Sequence, residues 1–274
     1  MKLVLTNDDG VESPGIHALA AGLRDLGHTC TVVAPARDMS GSSAAIGRLE
    51  FGESMELTPV ALPAPAEGIE AFSVDGPPGL AALLAATGAF AEPPDLVVSG
   101  INAGPNTGHS ILHSGTVGAA LTAASFGVSA LAVSLDVSDS MPWRTACAYL
   151  PEALEHLTAA PVGTVLNLNV PAVAEPQSVR GLRWATLDQF GSFRVAVADR
   201  HDTLVQLEYR ATGAELDPDS DTALLAAGWA TLTAIRGIGE VPPDEIAAQE
   251  ERRTPEPRLA TVPKEDAEPL PERS

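Results

Sequence analysis

Short apolar runs alternate with amphipathic segments along the first 170 residues of the chain. Residues 2–6 and 29–34 are apolar runs of strand length, and residues 14–26 between them place apolar side chains at helical spacing after Pro14. Further segments follow, with strands at 95–99, 130–134 and 164–170 and helices at 78–86, 115–126 and 143–158. Apolar strands separated by helices predict an α/β fold in which a parallel sheet is covered on both faces.

The pattern changes in two places. Residues 49–74 favour β structure with turns, and residues 179–235 alternate like antiparallel strands, with one helix expected near 221–227. The 38 residues from Gly237 onward hold 7 Pro, 10 acidic and 5 basic residues, and we expect this tail to be disordered. We therefore expect an α/β core over 1–178, a β region over 179–236 and an acidic, Pro-rich tail over 237–274.

Charge narrows the classes of function. Sixteen basic residues against 36 acidic ones give a formal charge of −20, which argues against broad basic surfaces for nucleic acid or anionic membranes. Residues 96–135 contain no charged Asp, Glu, Lys or Arg, but Gly, Asn and Pro interrupt them, so a buried centre is expected rather than a membrane span.

The location of the protein is predicted from its cysteines and its N-terminal residues. Cys30 and Cys147 fit neither a disulfide framework nor a metal-binding spacing, which favours a reducing cytoplasm. Met1 and Lys2 lead directly into an apolar strand and then acids, so no signal peptide is expected.

Asp8 and Asp9 stand where the first strand meets its helix. Ligands bind at the carboxyl ends of strands in open α/β sheets, and two adjacent carboxylates repel each other unless a cation lies between them. The pair therefore indicates a metal site. The alternative is structural, with Asp9 and Gly10 forming a turn and Asp8 capping a helix.

Two later loops supply further polar groups. Ser40 lies in the Ser/Gly-rich loop after the second strand, and Asn102 lies in the long loop 99–108, whose glycines allow close backbone approach to a ligand. Ser114 and Thr116 stand at the start of a helix, where N–H groups and the helix dipole favour an anion. Each loop read alone could be merely a polar connection.

Taken together, these loops favour phosphoryl chemistry. The side chains of Asp8, Asp9, Ser40 and Asn102 offer oxygen ligands, which suit Mg²⁺, Mn²⁺ or Ca²⁺ rather than zinc. Neutral donors beside them suit a phosphate. The spacing of His109 and His113 could suggest zinc, but the Glu of a zincin motif is missing. His113 is instead a candidate to contact phosphate or ribose, or to protonate a leaving alkoxide.

Four ordered motifs resemble the SurE family. They are Thr6-Asn-Asp-Asp-Gly10 with Pro14-Gly15, Ala34-Pro35 leading to Ser40-Gly41, the run 99–106 (Ser-Gly-Ile-Asn-Ala-Gly-Pro-Asn), and Ser114-Gly-Thr-Val117. Two later landmarks, Asn167-Leu-Asn-Val-Pro171 and the segment 221–233, extend the resemblance over about residues 1–236.

The resemblance implies a Rossmann-like core and a metal-dependent phosphatase of nucleoside 5′-monophosphates, and possibly of 3′-monophosphates. It implies one divalent cation, Mg²⁺ or Mn²⁺, held by Asp8, Asp9, Ser40 and Asn102. It also implies phosphate contacts from Asn106, Ser114, Gly115 and Thr116, and homodimers or homotetramers built through C-terminal β arms. Asp8, Asp9, Asn106, Ser114 and Thr116 are thus the expected catalytic set.

Five positions depart from the family pattern, and none is an expected metal ligand: Ala36, Met39, Gly79, His113 and Thr122. They leave the preferred substrate open. Two alternatives therefore stand beside the nucleotidase, namely a phosphatase for another small phosphomonoester and a sensor that binds a nucleotide or metal without turnover. A covalent aspartyl-phosphate mechanism is disfavoured because its acids are spaced Asp-x-Asp.

Overall fold

The computed structural model describes residues 1–49, 52, 54–90, 92–189, 193–201, 203–211 and 216–238. Its strands are β1 (Lys2–Thr6), β2 (Thr29–Pro35), β3 (Leu57–Pro59), β4 (Glu70–Val74), β5 (Leu96–Ala103), β6 (Ala130–Leu135), β7 (Val165–Val170), β8 (Leu182–Trp184), β9 (Phe193–His201), β10 (Leu204–Ala211) and β11 (Ala230–Ile235). Its helices are α1 (Pro14–Asp25), α2 (Pro78–Ala86), α3 (Gly115–Ser125), α4 (Trp143–Cys147), α5 (Leu150–Ala159) and α6 (Asp221–Ala226), with 3₁₀ helices at Gly108–His113 and Pro176–Ser178.

Nine strands form one sheet in the order β3-β4-β2-β1-β5-β6-β7-β11-β8. The six strands from β4 to β7 in that order are parallel, while β3 and β11 run antiparallel to their neighbours β4 and β7. The expected α/β fold with a parallel sheet is confirmed. The chain places β2 on one side of β1 and β5 on the other, so the strand order reverses between β1 and β5. Such a switch point opens a crevice at the carboxyl ends of the strands.

Both faces of the sheet are covered by apolar helices. On one face, α1 and α5 pack Leu19, Leu23, Leu150 and Leu157 against the strands, and α4 adds Ala146. On the other face, α2 and α3 contribute small side chains, chiefly Ala. Small residues let the helix backbones lie close to the sheet. As a result, the first turn of α3 reaches the loops that follow β1 and β2.

The strands of the segment expected to form a β region, 179–236, belong to two different sheets. Strands β8 and β11 extend the main sheet beyond β7, whereas β9 and β10 form a separate antiparallel hairpin within the described residues. The boundary expected at residue 178 therefore does not coincide with an end of the sheet. The disordered tail expected from Gly237 onward lies, from residue 239, outside the described residues.

Two elements differ in extent from their sequence predictions. The single helix expected over 143–158 is two helices, α4 and α5. Pro151 has no N–H to donate to the carbonyl four residues earlier, so the ladder of α4 is not continued and Pro151 lies in the first turn of a new helix, where no such bond is needed. Strand β5 continues to Ala103, four residues beyond the expected end, so Asn102 lies on a strand and not in a free loop. Over the described residues, no helix combines the length and the apolar character needed to cross a bilayer.

Candidate active site

Asp8 lies against the first turn of α3. The Thr116 hydroxyl donates a hydrogen bond of 2.5 Å to Oδ1 of Asp8, and the backbone N–H groups of Gly115 and Thr116 also donate to this carboxylate. The residue is only 4% exposed. Burial raises the pKa of Asp8, and these hydrogen bonds partly oppose that rise. The carboxylate is therefore fixed in position by neutral donors.

Gly115 makes this contact possible. A Cβ atom at this position would lie 2.6 Å from Cβ of Asp8 and 2.7 Å from its Oδ2, closer than non-bonded atoms can approach. The helix N-terminus thus receives a carboxylate of the chain itself, as its dipole favours. Contacts of Gly115 and Thr116 with phosphate stay a prediction, because their donors face Asp8 in this structure.

Asp9 is half-buried and turns toward the end of β5, where the N–H of Ala103 donates to its carboxylate. Its pKa is raised to about 6, first by burial and then by the negative charges of Asp8 and Asp38. No cationic side chain in the described part of the chain is among the groups that shift it. The buried Asp8 and the half-buried Asp9 thus lie side by side, with the exposed Asp38 near enough to raise the pKa of Asp9.

The loop after β2 joins the same space. The N–H of Met39 donates to the backbone carbonyl of Asp8 at 2.7 Å. Ser40 donates its hydroxyl (2.6 Å) and its N–H (2.8 Å) to Oδ1 of Asp38, and these bonds lower the pKa of Asp38. Asp38 was missed by the sequence reasoning, although an acid two residues before a serine is a common turn pattern. The hydroxyl oxygen of Ser40 still has lone pairs with which to bind a cation.

This loop packs tightly on α3. A Cβ atom on Gly118 would lie 2.2 Å from the backbone of Ser43, so only glycine fits there. The hydroxyl of Ser43 donates to the carbonyl of Leu112 at 2.6 Å. The loop after β2 therefore contacts both the end of β1 and the start of α3, and Ser40 directly follows the residue whose N–H binds the Asp8 carbonyl.

Asn102 stands near the end of β5, one residue before the Ala103 N–H that binds Asp9. Its side-chain Nδ2 donates to the carbonyl of Gly104 at 2.8 Å, which leaves Oδ1 as an acceptor. Asn102 is paired in register with Ser134 of β6. The three loops proposed from the sequence to meet at one end of the sheet do converge there.

Asn106 is held by strands that the sequence reasoning treated only as a landmark. Its N–H donates to Oδ1 of Asn169 (2.8 Å), and its carbonyl accepts from Nδ2 of Asn167 (2.8 Å) and of Asn169 (2.9 Å). Its side-chain Nδ2 donates to Oγ of Ser134 at 2.9 Å. Two asparagines at alternate positions of an otherwise apolar strand were the signal that could have revealed this role.

Asp221 holds the next part of the same loop. Its fully buried carboxylate accepts the N–H of Gly108 at 2.9 Å through Oδ2 and the N–H groups of Asp188 and Thr222 through Oδ1. Burial raises the pKa of Asp221, and the hydrogen bonds oppose this rise. The sequence could not assign this role, since nothing local links residue 221 to residue 108.

Ser114 and His113 complete the region. Ser114 caps α3, accepting the N–H of Val117 at 3.1 Å through its hydroxyl oxygen. That bond leaves the hydroxyl proton free to be donated to another acceptor. His113 ends the 3₁₀ helix with an exposed ring. It therefore lies beside the site rather than within its buried part.

These residues fit a divalent cation held by oxygen atoms. Within the described residues, no three His, Cys, Asp or Glu side chains form a metal-binding group, which speaks against a closed all-protein site. Mg²⁺ usually takes one or two carboxylates and keeps several waters. The buried Asp8 and the half-buried Asp9 match that requirement, since within the described residues no cationic side chain shifts the pKa of either. Ser40 and Asn102 offer the neutral oxygens.

A family model described as survival protein SurE matches residues 3–191, which include all the predicted site residues. The chain belongs to the SurE family. The 5′-nucleotidase SurE of Methanopyrus kandleri is 35% identical over 235 residues, covering 82% of this chain and 86% of the relative. The 5′/3′-nucleotidase SurE of Edwardsiella ictaluri is 35% identical over 244 residues, covering 86% and 90%.

A solved SurE structure has the same fold. The crystal structure of the SurE protein from Aquifex aeolicus superposes with a TM-score of 0.73 at 24% sequence identity, covering 92% of this chain and 99% of that one. The similarity therefore extends through β8 to β11 as well as the parallel core. Asp221 lies beyond the segment that the SurE family model matches, although its carboxylate supports a loop inside that segment.

Proposed function

We propose that this chain is a metal-dependent phosphomonoesterase that hydrolyses nucleoside 5′-monophosphates, and 3′-monophosphates as well, to nucleoside and phosphate. The observation that carries the proposal is the pair of adjacent carboxylates at the switch point of a parallel sheet. Asp8 is buried and Asp9 half-buried, and the donors to them among the described residues are neutral. The names of the relatives, 5′-nucleotidase and 5′/3′-nucleotidase, support the same reaction and substrate class.

The proposed cofactor is one Mg²⁺ or Mn²⁺ per chain, with Asp8, Asp9, Ser40 and Asn102 as ligands. When bound, such a cation polarises phosphoryl oxygens and lowers the pKa of a coordinated water. The carboxylates of Asp8 and Asp9 differ in how firmly they are held and in how many lone pairs they leave for the cation. Asp8 is immobilised by α3, whereas Asp9 accepts a single N–H and keeps more lone pairs open.

Ser114 and Asn106 are the residues proposed to hold the phosphoryl group. The Ser114 hydroxyl accepts from Val117 and can donate its own proton to a phosphoryl oxygen. The side-chain amide of Asn106 has two N–H groups. One donates to Oγ of Ser134, so the second can donate to a phosphoryl oxygen. Such donors stabilise charge on the equatorial oxygens as the ester bond breaks.

His113 is proposed to act on the leaving group of the ester, the nucleoside. It directly precedes Ser114, and its exposed ring can reach a group that extends out of the site. A ring N–H there can hydrogen-bond to the ribose or deliver a proton to the departing alkoxide oxygen. We expect its loss to affect nucleotides more than p-nitrophenyl phosphate, whose leaving group needs little protonation.

An aspartyl-phosphate route is disfavoured by the surroundings of Asp8. A nucleophilic carboxylate must approach phosphorus, but Asp8 is 4% exposed and its oxygens accept hydrogen bonds from α3. The structure therefore supports a role for Asp8 in holding a cation.

The remaining proposals concern assembly and location. A homodimer or homotetramer through the β9–β10 hairpin is supported by Val197, Leu204 and Val205, which are each more than half exposed on it. Cytoplasmic location is supported by Cys30 and Cys147, which are free thiols.

A substrate panel at fixed metal concentration tests the proposed function. Phosphate release is measured from nucleoside 5′- and 3′-monophosphates, sugar phosphates and p-nitrophenyl phosphate with Mn²⁺ or Mg²⁺, and again with EDTA. We expect turnover that EDTA abolishes and added metal restores, with nucleotides preferred. Preference for a sugar phosphate would redirect the substrate class. Tight nucleotide binding without any metal-dependent release would favour the sensor instead.

A further inference from the structure

Side chains, rather than the backbone of another strand, satisfy the N–H and the carbonyl of Asn106. Asn169 accepts the N–H of Asn106 through Oδ1 and donates to its carbonyl through Nδ2, so one amide side chain satisfies both backbone groups. Asn167 donates to the same carbonyl. A loop residue with both backbone groups and its side chain engaged loses most of its conformational freedom.

The side chains that hydrogen-bond to Asn106 are buried in the sheet. Asn167 and Asn169 lie on β7 and Ser134 on the adjacent β6, and all three have no exposed surface. Ser134 is paired in register with Asn169 on one side and with Asn102, a proposed metal ligand, on the other. The row therefore links the proposed phosphate-binding Asn106 to the strand that carries Asn102.

We propose that Asn167, Asn169 and Ser134 are positioning residues that fix the side-chain amide of Asn106 for the phosphoryl group. This inference rests on the proposed function, because it takes Asn106 to be a phosphate contact. Asn167 and Asn169 set the backbone of the loop, and Ser134 accepts one N–H of the amide. The second N–H is thereby held in one direction before substrate arrives, which is how preorganised donors contribute to catalysis.

The opposite strand offers matched controls. Thr233 of β11 is paired in register with Asn167, and Thr231 with Asn169. Both threonines are buried on the sheet, and within the described residues their hydroxyls have no hydrogen-bond partner. A Thr→Val change at either position preserves shape and removes a polar group of the same row that does not touch Asn106.

The first measurement compares kcat/KM of folded variants for a nucleoside monophosphate. Asn169→Ala is expected to lower it about 10- to 100-fold and Ser134→Ala about 5- to 10-fold, since one or two hydrogen bonds to Asn106 are lost. Thr231→Val and Thr233→Val are expected to stay within about twofold, because the hydroxyls that they remove bind nothing. Full activity in folded Asn169→Ala and Ser134→Ala would overturn the inference.

A double-mutant cycle separates positioning from a general structural effect. Ser134→Ala is made in wild type and in Asn106→Ala. If Ser134 acts through the Asn106 amide, its effect falls below about twofold once that amide is gone. Equal losses in both backgrounds would overturn the inference, as would an Asn106→Ala variant with wild-type kcat/KM.

A binding measurement keeps this inference separate from the proposed function. Inorganic phosphate is titrated into the Mn²⁺-loaded protein by calorimetry. If wild type turns over no substrate yet binds phosphate, the proposed function fails, and weaker binding in Asn169→Ala but not in Thr231→Val supports the inference. Equal phosphate affinity in Asn169→Ala and Thr231→Val, or no binding by wild type, would overturn it.

Discussion

Charged side chains lie in opposite surroundings at the two ends of the central sheet. At the amino end, Lys2 forms an ion pair with Glu92, with side chains 64% and 70% exposed, and the N–H of Lys2 donates to Asp95. At the carboxyl end, Asp8 is buried and Asp9 half-buried, and the groups that donate to them within the described part of the chain are neutral. Exposed pairs contribute little to stability, whereas buried charges without partners are costly. The carboxyl end is therefore arranged for a ligand that brings positive charge.

The strongest way to break this comparison is to neutralise one acid at each end. Asp9→Asn is expected to lower Mn²⁺-dependent phosphate release by about 10³-fold or more, because a charged ligand of the proposed cation is lost. Glu92→Gln, an equal change of charge at the amino end, should retain full activity. Phosphate release is compared at saturating metal. Undiminished turnover by Asp9→Asn in the presence of EDTA would refute the metal mechanism.

Metal removal extends the comparison to stability. A cation that binds only the folded state adds about 2.7 kcal/mol at a hundred times its Kd, which raises the Tm of a protein of this size by about 5–10 °C. Thermal unfolding is followed with Mn²⁺ and with EDTA. The rise should be present in wild type and Glu92→Gln and absent in Asp9→Asn. A rise that Asp9→Asn retains would place the cation elsewhere.

A smaller effect is expected from Gly115→Ala, which tests how Asp8 is held. The added Cβ would overlap Asp8, so the carboxylate or the helix must shift, at a cost of about 1–3 kcal/mol in the free energy of unfolding. We also expect about tenfold slower turnover, because the carboxylate moves from its place. Urea unfolding and phosphate release measure the two effects.

A control for this change lies in the same helix. Ser125→Ala removes only the hydrogen bond from its hydroxyl to the Thr122 carbonyl, at the far end of α3. It should change the stability by about 0.5 kcal/mol and leave turnover unaltered. If Gly115→Ala behaved like Ser125→Ala, the contact between Asp8 and α3 would have no bearing on the reaction.

The sequence predicts the local elements of the fold better than the contacts between residues that are far apart in the chain. The bounds of β1 and α2 were predicted to the residue, because an apolar run, a turn and a Pro at the helix start act locally. The meeting of the loops after β1 and β2 with the end of β5 was also predicted, since parallel strands bring their carboxyl ends together. The side chains that support the loop 104–108 were not predicted, because they lie 28 to 113 residues away in the chain.

The fold of the last part of the described chain was also beyond local reasoning. An alternating pattern predicts a strand without naming its partner, and β11 returns to pair with β7, whereas β9 and β10 pair only with each other. Only the completed sheet shows that Asp221, at the start of α6, reaches Gly108. Local pattern thus predicted which loops meet at the site, and the metal ligands proposed on those loops stay a prediction. It did not predict the residues that position the long loop.

The smallest effect is expected at the amino end of the sheet. The hydrogen bond to Glu92 and its opposite charge raise the pKa of Lys2, and the same two interactions lower the pKa of Glu92. Both side chains are largely exposed, so the pair is screened. Glu92→Gln should shift the Tm by no more than about 2 °C in low salt, and by less in 0.5 M NaCl. Thermal unfolding at the two salt concentrations is the measurement. A large, salt-independent loss would mean that charge stabilises both ends of the sheet alike, and the contrast that points to a cation at Asp8 and Asp9 would lose its basis.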